Sequence, residues 1–307
     1  MDVLLNLGLF ILSLAVLLKA ADWFIDSAEE IGLSLGISPF IIGVTIIAFG
    51  TSLPELATSL ASVFNGASEI VIGNVVGSNI TNIALVLGLT VVVSKEIKLH
   101  NQIWHVDMPF LISSSFLMWF LVRDANVSIF EAIIFLGSLA LFLIYSLKSD
   151  EGDEDQFRKK VSWKSYAWLV VGGALVWLGA KYTIDAITNL SLLMGISNEI
   201  IALSMVALGT SLPEVIVSIG AAKKGKTSIA VGNVLGSNIF NTFAVMGIPA
   251  FFGKLVIPQS VLDFSLPLMV ALTILFAVMT ISRRITRWEG IILLIFYVFY
   301  MVELFTK

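Results

Sequence analysis

"GTSLPE" runs from Gly50 to Glu55, and the same six letters return from Gly209 to Glu214. Each copy sets a carboxylate and a proline inside a long apolar run, where a segment that only had to sit in oil would carry neither. The chain has 307 residues, 58% hydrophobic and 13% charged. Apolar runs near or above the roughly 20 residues that span a bilayer recur along its whole length. These features predict an all-α polytopic membrane protein. The runs are continuous rather than alternating, which excludes a membrane barrel. The opening run is read as a helix and not as a leader, because Met1-Asp2 carries no positive charge ahead of it. With no cysteine in the chain, disulfides, thiolate metal sites and a cysteine nucleophile are excluded. The net charge of -4 sits in a few loops and forms no basic face, so no nucleic-acid partner is expected.

Shifted by 159 residues, the stretch Gly36 to Gly88 aligns with Gly195 to Gly247 without a gap, and 25 of the 53 positions are identical. "AFGTSLPE" meets "ALGTSLPE", and "GNVVGSNITN" meets "GNVLGSNIFN". Upstream, "FID" ending at Asp26 meets "TID" ending at Asp185. A period this long marks a duplicated domain and not a solenoid. Reading apolar runs as spans places helices near 3–20, 37–64, 70–93, 103–122 and 128–147, then near 164–184, 196–222, 228–252, 261–281 and 288–305. An odd number per half turns the second copy upside down, so the expectation is ten transmembrane helices in two inverted five-helix repeats. The halves are 1–147 and 164–307, joined by a linker at 148–163. Fourteen of the 18 basic residues fall in one alternate set of loops, the linker's included, and four in the other. That bias places the linker in the cytoplasm and both termini outside, in a multi-pass protein of the cell membrane.

A charge at bilayer depth costs about 2.5 to 3.5 kcal/mol, and no lysine or arginine falls in the middle of any span to offset Glu55 and Glu214. Pro54 and Pro213 each remove a backbone donor and free carbonyls near Gly50 and Gly209. Thr51, Ser52 and Glu55 share a helical stripe with Thr45 and Ser59; Thr210, Ser211 and Glu214 repeat it with Ser204 and Ser218. "GNVVGSNITN" and its copy add Ser78, Asn79 and Asn82, then Ser237, Asn238 and Asn241, beside small-xxx-small edges at Gly73/Gly77 and Gly232/Gly236. All are hard oxygen donors suited to Ca²⁺ or Na⁺. The only histidines, His100 and His105, lie near a loop. The two carboxylates therefore read as a shared cation site with a charge of -2. Left empty, it would be too costly to carry across a low-dielectric barrier, which makes exchange obligatory. Asp22, Asp26, Asp107, Glu131, Asp263 and Glu303 read as span-end residues.

These motifs resemble the cation/calcium antiporter superfamily, and within it the sodium/calcium exchanger branch, over essentially the full chain. The resemblance implies that Glu55 and Glu214 are calcium ligands shared with sodium, and that Thr51, Ser52, Thr210 and Ser211 add oxygens. It implies further that Ser78, Asn82, Ser237 and Asn241 complete the sodium and calcium sites. Helices 1 and 6 would slide against the rest, and transport would be electrogenic. Potassium-dependent members usually carry an aspartate where this chain has Asn241, which implies independence of potassium. Proton-coupled members usually read "GNxxE" where this chain has "TSLPE". The expected function is therefore Na⁺/Ca²⁺ antiport, with no enzyme activity, no cofactor and no protein partner implied beyond the bilayer. A Ca²⁺/H⁺ antiporter and a passive cation channel stand as alternatives. An enzyme using Ser52 or Ser211 lacks a histidine or lysine base in the core.

Overall fold

The computed structural model describes residues 2–99, 101–104, 107–148, 161–193 and 209–306. Its helices are α1 (Asp2–Ser34), α2 (Pro39–Phe64), α3 (Glu69–Ser94), α4 (Asp107–Leu121), α5 (Ile129–Lys148), α6 (Trp163–Leu193), α7 (Leu212–Lys223), α8 (Thr227–Phe251), α9 (Val261–Thr280) and α10 (Arg287–Thr306). Seven of them, α1, α2, α3, α5, α6, α8 and α9, are long and apolar enough to cross a membrane. The span expected at 196–222 is described only from its later half, and Ser204, His100, His105 and residues 149–160 of the linker lie outside the described residues.

Two spans are longer than the sequence suggests. The first continues past Lys19 to Ser34, because Leu17, Ala21, Phe24, Ala28 and Ile31 keep a buried stripe at three-to-four-residue spacing. Glycines let α6 lie close along that stripe: a Cβ on Gly179 would meet the backbone of Leu17 at 3.0 Å, and one on Gly172 that of Phe24 at 3.0 Å. Thr183 bonds Ser13 at 3.0 Å, Asn189 bonds Asn6 at 3.2 Å, and Ser165 bonds Glu30 at 2.8 Å. Partner numbers rise along one helix as they fall along the other, so α1 and α6 are antiparallel.

Asp26 is not a lone span-end acid. It pairs with Lys224 at 2.9 Å and Lys226 at 2.6 Å; Lys224 also meets Asp22, and Lys226 meets Glu29. Burial works against the charge on Lys226, but the hydrogen bonds to Asp26 and Glu29 outweigh it and hold the ammonium above its usual range. Being partly exposed, each pair adds about 0.2 to 1 kcal/mol at most. Asp107 does stand at a span end, as the first residue of α4, but it is buried rather than in interfacial water, and the helix's positive end favours its carboxylate.

The apolar core divides in two. The larger cluster is built by α3, α4, α5, α8, α9 and α10; the smaller gathers α1 and α6 with parts of α2, α7 and α8. Four short strands, invisible as apolar runs, make two antiparallel ribbons: β1 (Glu96–Lys98) with β4 (Arg284–Thr286), and β2 (Asn126–Val127) with β3 (Leu255–Val256). At a shift of 159, Glu96 corresponds to Leu255 and Asn126 to Ile285. Each ribbon therefore joins one strand from each half, and the second is the counterpart of the first.

Candidate functional site

The first hexapeptide breaks its helix where the proline predicts, and in the second a helix begins at the same place, directly after Ser211. Ser52 leaves helical geometry at φ -90°, ψ 5°, and Ser211 at φ -84°, ψ 3°. A new helical segment starts after each, with the proline at its second position and the glutamate at its third. Proline suits that place because its missing N–H would have no helical partner there. The glutamate thus sits in the first turn of a helix, whose positive end returns about 0.3 to 1 kcal/mol, up to about 2 when partly buried. This is less than the cost of burying the charge, so the helix end alone does not offset either carboxylate.

Glu55 and Glu214 are both fully buried and lie within electrostatic range of each other. Ser52 of α2 donates to Glu214 Oε1 at 3.3 Å, which brings the two hexapeptides together. Among the described residues the other three carboxylate oxygens have no hydrogen-bond donor, and no salt bridge involves either glutamate.

Around them runs a two-fold set of bonds between the halves. Thr51 donates to Asn233 Oδ1 at 3.1 Å and lies 3.4 Å from Ser237 Oγ. Its counterpart Thr210 donates to Asn74 Oδ1 at 3.2 Å and lies 3.2 Å from Ser78 Oγ. Within each half the amide is anchored by a serine, Asn74 to Ser59 at 3.0 Å and Asn233 to Ser218 at 2.9 Å. Asn74 also donates to the Glu55 carbonyl at 3.0 Å. The structure therefore gathers Glu55, Glu214, Thr51, Ser52, Thr210, Ser78 and Ser237. Ser211 is buried at the second break, its hydroxyl unpartnered among the described residues.

Asn82 and Asn241 are fully buried at the first position of π-helical turns, Asn82–Leu87 and Asn241–Val245. Neither amide has a partner among the described residues. They follow Ser78 and Ser237 by four residues on the same face. Asn79 does not join that stripe: its amide turns to Thr242 at 3.0 Å, with Met269 Sδ at 3.6 Å, because one residue's step rotates it about 100°. Thr45 is spent on its own helix, bonding Ile41 O at 2.6 Å.

Asn74 and Asn233 are what the sequence reading overlooked. The signal was present, since each precedes its serine by four residues and its second asparagine by eight. Replacing Asn233 by leucine removes the acceptor of Thr51 and the anchor at Ser218, so a loss of about 1 to 3 kcal/mol is expected. A lowered unfolding midpoint in detergent checks it.

The small-xxx-small edge of α8 makes a close crossing, for a Cβ on Gly236 would collide with the Val44 carbonyl and one on Gly232 with that of Phe40. For Gly73 and Gly77 the described residues show no such approach, and the counterparts of Phe40 and Val44, at 199 and 203, lie outside them.

A cavity of about 340 Å³ reaches Thr210 from one side, lined also by Pro54, Thr58, Trp177, Lys181, Asp185 and Pro213. Among the described residues no cluster of three or more His, Cys, Asp or Glu forms. The donors offered are carboxylate, hydroxyl and amide oxygens, the set that hard cations take.

The family described as Sodium/calcium exchanger protein matches residues 5–148 and 164–306. The sodium/calcium exchanger MaX1 of Methanosarcina acetivorans is 33% identical, covering 98% of each chain. The inner membrane protein YrbG of Escherichia coli is 31% identical over 94% of this chain and 92% of its own. Among solved structures, the sodium-calcium exchanger NCX_Mj soaked with zero Na⁺ and Ca²⁺ superposes with a TM-score of 0.87 at 30% identity, covering 98% of this chain and 99% of that one. Soaked with 100 mM Na⁺ and 10 mM Sr²⁺ it gives 0.86 at 29%, over 98% of both.

Proposed function

This chain belongs to the sodium/calcium exchanger family, and from that premise we propose that it exchanges Na⁺ for Ca²⁺ across a membrane by alternating access, without potassium. One observation carries the reading: two buried glutamates, one from each copy of the repeat, with three of their four carboxylate oxygens lacking a donor among the described residues. Two negative charges match one Ca²⁺. The hydroxyls and amides of Thr51, Ser52, Thr210, Ser211, Ser78, Asn82, Ser237 and Asn241 supply the neutral oxygens that a dehydrated Ca²⁺ or Na⁺ needs. Protons alone would satisfy the glutamates and leave the amides of Asn82 and Asn241 without partners, which favours sodium as the counter-ion.

The ten helices of the described residues are read as ten spans in two inverted repeats of 1–147 and 164–307, with the 148–163 linker in the cytoplasm and both termini outside. The antiparallel counterparts α1 and α6 support the inversion, and so do the two ribbons. Alternating access is supported by the split core, in which α1 and α6 belong to a cluster apart from the larger body. It is supported also by the cavity at one end of the α1–α6 pair and the lysine–carboxylate cluster at the other.

The test is calcium uptake into proteoliposomes. An outward sodium gradient at equal pH should drive ⁴⁵Ca in, and choline or potassium in place of sodium should not. Uptake driven by a pH gradient without sodium, or flux with no counter-ion, would overturn the reading. Asn241→Asp adds a third carboxylate, and the expected result is retained exchange with a new dependence on potassium or protons, read in the same assay.

A further inference from the structure

Asp26 and Asp185 are counterparts in the repeat, yet their carboxylates meet opposite surroundings. Asp26 is neutralised by Lys224 and Lys226. At a shift of 159 those lysines become Asn65 and Ala67, which carry no charge. Because α1 and α6 are antiparallel, Asp185 stands at the other end of the pair, and there it lines the cavity with Thr210. Among the described residues nothing bonds to it. Lys181, one turn earlier on the same wall, has its ammonium 6.0 Å from the Tyr182 ring centroid and, among the described residues, pairs with no carboxylate.

We propose that Asp185 is a cation-capturing carboxylate of this cavity, which draws Ca²⁺ and Na⁺ in toward Thr210 and the paired glutamates. The proposal rests on the exchange reading above. A partly exposed acid on a concave wall holds no ion tightly, because water competes for it, but its field is focused by the low-dielectric walls and raises the local cation concentration. It therefore acts on capture and leaves the loaded site alone. At about 10 Å in water, one unit charge changes the local concentration of a monovalent ion about two-fold and of a divalent ion about four-fold. About 0.1 M salt brings the screening length down to that distance. Calcium should feel Asp185 as the square of what sodium feels, and concentrated inert salt should erase both effects. Lys181, of opposite sign on the same wall, should act in the opposite direction.

The experiment measures initial ⁴⁵Ca exchange against calcium concentration in membrane vesicles of both polarities, at low ionic strength and in about 0.5 M choline chloride. Asp185→Asn is expected to raise the half-saturating calcium concentration about four-fold, in the polarity that exposes the cavity. The limiting rate is retained, and the difference closes in high salt. Asp185→Glu should restore the wild-type value, and Lys181→Met should lower it. An unchanged half-saturation in Asp185→Asn at low salt, an equal change in both polarities, or a fall in limiting rate alone would overturn the proposal. Wild-type vesicles without sodium-driven calcium flux would overturn the exchange reading and the proposal with it.

Discussion

Glu214→Gln and Glu55→Gln are each expected to cut sodium-driven calcium uptake by about 100-fold or more. Removing one partner of a buried charge set costs about 3 to 5 kcal/mol, and each 1.4 kcal/mol is a factor of ten. Either change leaves Ca²⁺ with half of its neutralising charge. The same substitutions should make the protein more stable when no ion is bound, because an uncompensated charge has been taken out of the membrane interior. The two sites should differ in degree. Glu214 receives a hydrogen bond from Ser52, whereas neither Glu55 oxygen has a donor among the described residues. Glu55→Gln should therefore raise the ion-free unfolding midpoint more than Glu214→Gln. In both variants the further rise that calcium gives to the wild type should disappear. Equal calcium-induced stabilisation in wild type and the double glutamine variant would refute the site.

Most of this site was legible because charge and proline are costly in a bilayer and stand out against an apolar background. Glu55 and Glu214 could be found without a fold, and their duplication fixed which hydroxyls and amides would accompany them. Asn74 and Asn233 were passed over for a physical reason. Their task is to carry hydrogen bonds between halves, and a period-159 repeat shows that two positions are alike without showing that each touches the other's neighbour. The length of α1 was misread because Asp22, Asp26 and Glu29 look like a span end until Lys224 and Lys226, about 200 residues further on, come to meet them. The four ribbon strands were invisible because two or three residues give no periodicity to read. Their pairing joins the halves, and only folding brings those together.

Gly236→Ala is the second change with a large expected effect, and it isolates sterics from helix preference. At this crossing the backbone of α8 runs against that of α2, and the added methyl would strike the Val44 carbonyl. A carbonyl held in a helix cannot rotate aside as a side chain can, so the helices must part. Overpacking of this kind costs about 1 to 3 kcal/mol or more, against about 1 kcal/mol that alanine returns as a better helix former. Gly137→Ala on α5 is the control, since no atom of the described residues lies within 4 Å of a Cβ there. It carries the same gain without the clash, so its unfolding midpoint should hold or rise slightly while that of Gly236→Ala falls. Exchange should suffer beyond the stability loss. Ser237 is the next residue on α8, and parting the helices pulls it and Asn233 away from Thr51, which they meet at 3.4 and 3.1 Å. The variant, assayed well below its midpoint, should therefore show a weakened affinity for calcium. Wild-type affinity at a lowered midpoint would mean that this crossing supports the fold alone and does not set the distance between the halves at the site.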